Sequence, residues 1–204
     1  MRLDKYLTVV TEFSRTAVKK LLKESRVTVE GKIVTCPSEN VLATAIVTLD
    51  GELLATATLR YFMLHKPKGY VSANKDREHL TVLELLSENN IGQLHIAGRL
   101  DRATTGLLIL TNDGKWSRKL TAAKQKIPKK YWVKTVYALS PDTQHRFAQG
   151  IYFAYEDITT SPAQIELLDN NCCLLTIYEG RYHQIKRMFE HIGHPVIRLK
   201  RIQF

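Results

Sequence analysis

The hydrophobic pattern of the chain changes near residue 60, and this change predicts two separate folded parts. Apolar residues from Leu3 to Val10 recur at the three- and four-residue spacing of one helical face. Ser14 is a favourable N-cap for a second helix, and RVTVEGKIV predicts a β-hairpin that turns at Glu30-Gly31. The first part is therefore predicted to be a helix–helix–hairpin domain over residues 1–60.

Beyond residue 60 the apolar residues come in short runs that are separated by turn signals. The runs YFMLHK, GLLILTN, KYWVKTVYAL and CCLLTIY predict β-strands. A capping box at Thr81 and Glu84 predicts a helix over residues 82–88, and a later amphipathic helix is expected to end at Gly193. Because strands and a few helices do not alternate strictly, residues 61–204 are predicted to form an α+β domain.

Composition excludes several classes of protein. No uninterrupted apolar stretch reaches the roughly 18 residues that a membrane helix needs, and the N-terminus MRLDKYLTVV is charged from its second residue, unlike a secretory signal. The three cysteines, Cys36, Cys172 and Cys173, lack paired spacing, and the two neighbours are badly placed to bridge each other. We expect no disulfide framework, no zinc site, no membrane partner and a reducing, cytoplasmic location.

Positive charge is concentrated in three blocks of the chain, whose formal net charge is +10. Residues 1–34 hold eight basic and four acidic side chains. Residues 115–134 hold eight basic side chains and no acidic one, and residues 181–204 hold six basic side chains and one acidic one. Separate basic blocks on a folded chain indicate a polyanion as partner, and nucleic acid is the commonest polyanion. A solvated, solubilising surface is the alternative.

The segment GRLDRATTG places Asp101 in a turn between two apolar strands, with Arg99 and Arg102 beside it. Flanking guanidinium groups favour the ionised carboxylate, and an accessible ionised carboxylate is a candidate nucleophile. The alternative is an ordinary turn aspartate that hydrogen-bonds its own backbone. The DxD pattern of aspartate-dependent dehalogenases is absent, since no second carboxylate follows, and no ligand cluster supports metal-assisted hydrolysis.

The segment EGRYHQIKRM predicts a second group of polar side chains. Arg181, His183 and Gln184 are expected at the N-terminal end of a helix, where backbone N–H groups favour anions. An arginine at this place can pair with a carboxylate or a phosphate. His183, His191 and His194 have no carboxylate or cysteine to complete a ligand set, so no metal site is predicted.

The segment KQKIPKKYWVK combines lysines with Tyr131 and Trp132. Lysines can hold phosphates while an aromatic ring stacks on a base. The alternative is that strand alternation sends one of the two rings into the core, and Trp132 is expected to be that one.

Together these segments resemble the RsuA/RluB-type ribosomal RNA pseudouridine synthases over essentially the whole chain. RLDKYL, SRTAVKKLL and RVTVEGKIV resemble the small RNA-binding domain shared with ribosomal protein S-four. RYFMLHKPKGYV, AGRLDRATTGLLILTNDGKWS, KKYWV and EGRYHQIKRMF match the catalytic domain in order and spacing. RYFMLHKP, TTGL and NDGKWS are closest to the small-subunit branch of that family. The resemblance implies a mixed, mainly antiparallel sheet with the active site in a central cleft.

The same resemblance implies roles for individual residues. Asp101 would be the catalytic nucleophile, Tyr131 the tyrosine that stacks on the base and assists proton removal, and Arg181 the arginine that pairs with Asp101. Arg99 matches the residue that fills the gap left by the flipped uridine, and Ile185 matches an apolar residue of the base pocket. The remaining substrate-binding candidates are Arg102, Lys130, His183 and Gln184, of which Arg102 and Lys130 depart from the usual family residues.

The implied function is cofactor-free isomerisation of uridine to pseudouridine, at uridine 516 of 16S rRNA in a small-subunit assembly intermediate. The protein is expected to act as a monomer, without a metal, and to hold RNA phosphates through basic residues of the first domain: Arg2, Lys5, Arg15, Lys19 and Arg26. A synthase acting on 23S rRNA and a non-catalytic RNA-binding or ribosome-assembly factor remain alternatives. The chain ends at Phe204, where relatives continue, so a truncated or shortened C-terminus is expected.

Overall fold

Two short amphipathic helices begin the chain. They are α1 (Leu3–Val10) and α2 (Arg15–Lys23). The structure is a computed structural model, and it describes the whole chain except residues 12, 43, 56–57, 88–90, 92–93 and 170. The Ser14 hydroxyl accepts a hydrogen bond from the Ala17 N–H, so the predicted N-cap is confirmed. The apolar faces of both helices contribute to a small core that consists of Leu3, Tyr6, Leu7, Val18, Leu21, Leu22, Val27, Val41 and Val47.

A small antiparallel sheet follows the two helices. Its strands are β1 (Val27–Val29), β2 (Lys32–Ile33), β3 (Val47–Leu49) and β4 (Glu52–Leu53), in the order β2-β1-β3-β4. The predicted β1–β2 hairpin is confirmed, and both turn residues, Glu30 and Gly31, have positive φ. The contacts divide the described residues into two compact units. One contains Met1–Arg60 and the described part of Glu88–His95, and the other contains Tyr61–Ser87 and Ile96–Phe204.

A larger sheet forms the centre of the second unit, in the order β11-β12-β8-β13-β7-β5, with β6 paired to β7. All its named pairings are antiparallel except that of β13 with β7. A separate two-stranded ribbon is formed by β9 and β10. The strands are β5 (Tyr61–Lys66), β6 (His95–Ala97), β7 (Thr105–Thr111), β8 (Lys129–Thr135), β9 (Tyr152–Phe153), β10 (Ile158–Thr159), β11 (Gln164–Asp169), β12 (Cys172–Ile177) and β13 (Val196–Gln203).

Three α-helices accompany this sheet: α3 (Gly114–Thr121), α4 (Pro141–Gln149) and α5 (Gln184–His191). The predicted α+β class with a mainly antiparallel sheet is confirmed. The capping box at Thr81 is also present, but the predicted helix over residues 82–88 is a single 3-10 turn, Val82–Leu85, because Leu86 is extended. Residue 88 of that prediction lies outside the described part. A further 3-10 turn is Ala123–Gln125. Among the described residues no helix is long and apolar enough to cross a membrane.

The parallel pairing of β7 with β13 requires a glycine at position 106. Gly106 pairs with Arg201 and has a φ of +102°. A Cβ atom at this position would lie 2.1 Å from the carbonyl oxygen of Arg201 and 2.8 Å from its backbone nitrogen. Since backbone atoms cannot move aside as a flexible side chain can, the two strands would have to separate.

We expect Gly106→Ala to lower the free energy of unfolding by about 3 kcal/mol or more, the sum of overpacking and positive-φ strain. Gly69→Ala is the matched control, since Gly69 has a φ of +100° with no atom within 4 Å of the added Cβ. It should cost only about 1 kcal/mol for the backbone conformation. Urea unfolding of both variants measures the difference, and equal losses would contradict a steric role for the close approach.

Candidate active site

Asp101 lies in a turn between β6 and β7 that several hydrogen bonds hold in place. The Leu100 N–H donates to the Ser72 hydroxyl, which in turn donates to the Leu100 carbonyl, at 3.0 and 2.7 Å. The Thr104 N–H donates to the Asp101 carbonyl at 3.0 Å. The Asp101 side chain is 31% exposed. Its carboxylate therefore has a fixed backbone beneath it and an open approach, which suits a nucleophile.

Lys66, the last residue of β5, supports the same turn from inside the domain. Its side chain is fully buried, and its Nζ donates to the carbonyl oxygens of Pro67, Arg102 and Thr104 at 3.0, 3.2 and 2.8 Å. Burial disfavours the ammonium ion and lowers the pKa of Lys66 to about 8, although the negative charge of Asp101 acts in the opposite direction. No pattern in the sequence indicated a role for Lys66.

The lowered pKa of Lys66 predicts a pH dependence of stability. Folded protein releases this proton near pH 8, whereas the unfolded chain keeps it until about pH 10.5. The unfolded state therefore binds more protons between these values, so stability rises with pH, by up to about 3 kcal/mol from this residue. Urea unfolding at pH 8 and pH 10.5 should show the stability of the wild type rising relative to Lys66→Met. A pH-independent difference between the two proteins would contradict the shift.

A histidine and a lysine of the α5 region face the carboxylate of Asp101. Nε2 of His183 lies 3.5 Å from Oδ1, and Nζ of Lys186 lies 3.5 Å from Oδ2. His183 precedes the first residue of α5 and has a left-handed backbone conformation, with a φ of +47°. Lys186 thus places a positive charge beside one carboxylate oxygen, and His183 places a ring nitrogen beside the other.

The structure does not bring Arg181 and Asp101 into the ion pair that the family resemblance implies. Within the described residues the ion pair of Arg181 is with Glu179, at 3.3 Å between Nε and Oε2. Glu179 also accepts from the Gln184 side chain at 2.8 Å, and Gln184 accepts from the Arg181 N–H at 2.9 Å. These contacts hold Arg181 at the start of α5. Lys186 takes the predicted place of Arg181, and its three-residue spacing from His183 is the helical signal that could have identified it.

Tyr131 of β8 is 6% exposed, and strand register places it beside Arg201 of β13. Arg201 is 1% exposed. It donates to the carbonyl oxygens of Leu107 and Gly98 at 2.7 and 2.8 Å. Burial lowers the pKa of Arg201, and the interaction with Tyr131 opposes that shift. Arg201 thus connects the tyrosine to the backbone just before Asp101, and no local signal in the sequence indicated it.

Strand alternation places Lys130 and Trp132 on the opposite face of β8 from Tyr131. The expectation that Trp132 is the core aromatic is therefore wrong, because Tyr131 is the buried ring and Trp132 is only partly buried. Lys130 lies 3.7 Å from Glu166 and does not line the cavity beside Asp101. The buried neighbour Lys129 lines it instead.

A cavity of about 590 Å³ adjoins Asp101 and Tyr131. This volume lies in the range of small-molecule and cofactor sites. The predicted residues Arg99, Arg102, Arg181, His183, Gln184 and Ile185 all line it. Among the described residues no cluster of histidine, cysteine, aspartate and glutamate could hold a metal ion. The carboxylate of Asp101 is therefore open to the cavity and surrounded by a tyrosine and several cationic side chains. This arrangement suits nucleophilic attack by the carboxylate on an anionic ligand.

The predicted RNA-contacting residues of the first unit differ in whether they pair with a carboxylate. Arg2 pairs with Asp4, and Arg26 pairs with Asp50. Arg15 and Lys19 lie exposed on α2. Within the described residues Lys19 makes no ion pair, so its charge is not compensated by a neighbouring carboxylate.

Comparison with known proteins matches residues 60–191 to the family described as RNA pseudouridylate synthase. The chain belongs to that family. The family match contains Asp101, Tyr131 and the whole of α5, and residues 1–47 match the S4 domain. The predicted family and the predicted order of its two domains in this pseudouridylate synthase are confirmed.

The similar proteins include curated pseudouridylate synthases of nearly the same length. "Ribosomal small subunit pseudouridine synthase A" of Pseudomonas aeruginosa is 45% identical over 202 residues, which cover 98% of this chain and 88% of the relative. The protein of the same name from Escherichia coli K12 is 42% identical, with 98% and 87% covered. A solved structure titled "Crystal structure of pseudouridylate synthase" superposes with a TM-score of 0.69 at 37% identity, covering 98% of this chain and 87% of the other.

Proposed function

We propose that this pseudouridylate synthase converts one uridine of 16S ribosomal RNA, uridine 516, to pseudouridine. The observation that carries the proposal is Asp101, open to a cavity, with Lys186 and His183 against its carboxylate and Tyr131 in the same cavity. The two relatives described above are named as small-subunit enzymes, which supports the small-subunit RNA as substrate.

The reaction is an isomerisation whose atoms balance without a cofactor. Asp101 attacks the flipped uridine, at the base or at the sugar, and the bond between N1 of the base and C1′ of the ribose breaks. The base rotates, C5 forms a new bond to C1′, C5 loses its proton, and N1 carries one in the product. If Asp101 attacks the base, its bond to the ring breaks after C5 has bonded to C1′; if it attacks the sugar, its bond to C1′ breaks as C5 bonds to C1′. Either route regenerates the carboxylate.

Each lining residue contributes a defined function to that sequence. Lys186 and His183 contact the two carboxylate oxygens and orient Asp101 for attack. Tyr131 stacks on the base and assists removal of the C5 proton, while Ile185 contacts the ring. Arg99 fills the space that the flipped uridine leaves in the RNA.

A nucleoside analysis tests the proposed chemistry. Purified protein is incubated separately with 16S and 23S transcripts and with partially assembled subunits that lack the modification. The RNA is then digested, and pseudouridine is separated from uridine by chromatography. The proposal requires about one pseudouridine per 16S molecule. Binding of RNA without any product would favour the alternative of a non-catalytic assembly factor.

The exposed cations of α2 are expected to hold RNA phosphates in this proposal. Replacing both Arg15 and Lys19 by alanine should weaken RNA binding about tenfold near physiological salt and reduce the slope of log K against log salt by about 2. Arg2→Ala should weaken binding less, since Asp4 already neutralises Arg2. Fluorescence anisotropy across a salt series measures both quantities. An unchanged slope in the double variant would place RNA elsewhere.

A further inference from the structure

Tyr182 presents a large aromatic ring at the cavity beside Asp101. The side chain is 77% exposed, although Tyr182 lines that cavity. The ring stacks on the imidazole of His183, with the ring centroids 3.9 Å apart and the planes inclined by 16°. His183 covers one face of the tyrosine ring. The high exposure of Tyr182 shows that little protein covers the other face, so an aromatic surface is available next to the reacting carboxylate.

The orientation of this ring is set before any ligand arrives. The imidazole of His183 contacts both the ring of Tyr182 and the carboxylate of Asp101. The carbonyl oxygen of Tyr182 accepts from Nη1 of Arg187 at 3.4 Å, and Arg187 is fixed in turn by an ion pair with Glu156. A ring that is already ordered loses little conformational entropy when a ligand stacks on it.

The surroundings of the ring indicate the chemistry of its ligand. Arg99, Arg102 and Arg181 line the same cavity and supply positive charge for phosphates. A ligand that combines a planar ring with phosphate is a nucleotide, and nucleotide bases stack favourably on aromatic side chains. The buried ring of Tyr131 lies deeper in the site and is assigned to the reacting uracil. Tyr182 is far more exposed and is therefore suited to a base outside the catalytic position.

Resting on the proposed function, we propose that Tyr182 stacks on a base that neighbours the target uridine in the RNA. When the target uridine leaves its stack, a neighbouring base loses a stacking partner, and the free face of Tyr182 replaces that partner. The stack then continues from the RNA through Tyr182 to His183, whose Nε2 contacts Asp101. This contact would select RNA in which the neighbouring base is free to adopt that position.

A combined protein and RNA substitution experiment tests the stacking contact. The probe is a synthetic RNA stem-loop that contains the target uridine, and Asp101→Asn serves as the background protein so that the RNA is not converted. Tyr182→Leu should weaken binding about tenfold, whereas Tyr182→Phe should bind within about twofold of the background protein. Tyr137→Leu is the matched control, since Tyr137 is 61% exposed and does not line the cavity. It should leave the affinity unchanged.

Abasic RNAs then identify the stacked base. Single abasic sites are placed at each of the two positions on either side of the target. At the stacked position the background protein should lose about tenfold in affinity, and Tyr182→Leu should add no further loss. Equal affinity of Tyr182→Leu and the background protein on intact RNA would overturn the inference. The inference would also be overturned if Tyr182→Leu weakened binding to each of the four abasic RNAs as much as it weakens binding to the intact RNA.

The outcome is separable from that of the proposed function. Pseudouridine formation by the wild type, together with normal RNA binding by Tyr182→Leu, would refute the stacking contact and support the isomerisation. Absence of pseudouridine, together with the expected binding pattern, would refute the isomerisation and support the stacking contact.

Discussion

Asp101→Ala is expected to abolish conversion of uridine to pseudouridine while RNA affinity stays within about threefold of wild type. The carboxylate is the only group assigned to form the covalent bond, and loss of a nucleophile typically lowers the rate by more than about 10⁴-fold. Binding survives because the arginines that line the cavity and the cations of α2 are unchanged. Single-turnover conversion with enzyme in excess, measured beside fluorescence anisotropy, separates the rate from the affinity.

Asp142→Ala is the matched control for this experiment. Asp142 is an exposed aspartate in the first turn of α4 and does not line the cavity. Its replacement should leave both the rate and the affinity at the wild-type values. A conversion rate for Asp101→Ala within tenfold of the control would exclude Asp101 as the nucleophile.

Lys186→Met is expected to lower the single-turnover rate by about 10²- to 10³-fold, the second-largest effect. Methionine keeps the length and apolar character of the side chain but removes the charge that lies 3.5 Å from Asp101. Loss of that cation removes the ion pair that orients the carboxylate for attack. The rate is measured by the same single-turnover assay, with affinity followed in parallel.

Arg181→Met is the comparison that decides between the two cations. Because Arg181 pairs with Glu179, its loss should lower the rate by less than about tenfold and act mainly on RNA affinity. A larger rate loss for Arg181→Met than for Lys186→Met would contradict the pairing found in the structure. It would instead support the pairing of Arg181 with Asp101 that the family resemblance implies.

The elements that sequence predicted well are those that local interactions determine. α1 and α2 follow from apolar spacing and the Ser14 cap, and the first hairpin follows from a Glu-Gly turn with positive φ at both residues. The Asp101 turn follows from a polar segment between two apolar strands. At each of these places the determining residues lie within a few positions of one another.

The features that sequence did not predict depend on residues far apart in the chain. Arg201 donates to carbonyl groups roughly a hundred positions earlier, and Lys66 holds backbone that lies 36 and 38 positions later. Alternation predicted that Tyr131 and Trp132 face opposite ways, but only the order of the large sheet determines which face is buried. Arg181 was assigned by family resemblance, and the ion pair with Glu179 depends on side-chain contacts that such a resemblance does not describe.

The most direct test of the central claim is to map pseudouridine at nucleotide resolution, by carbodiimide-blocked primer extension, on 16S and 23S rRNA. Partially assembled subunits that lack the modification are incubated with wild-type protein or with Asp101→Ala. The account predicts a single new stop in 16S rRNA, at uridine 516, that is absent with the variant. A stop in 23S rRNA alone would retain the chemistry and contradict the proposed substrate. RNA binding with no stop in either rRNA would contradict the proposal that this chain is the catalyst.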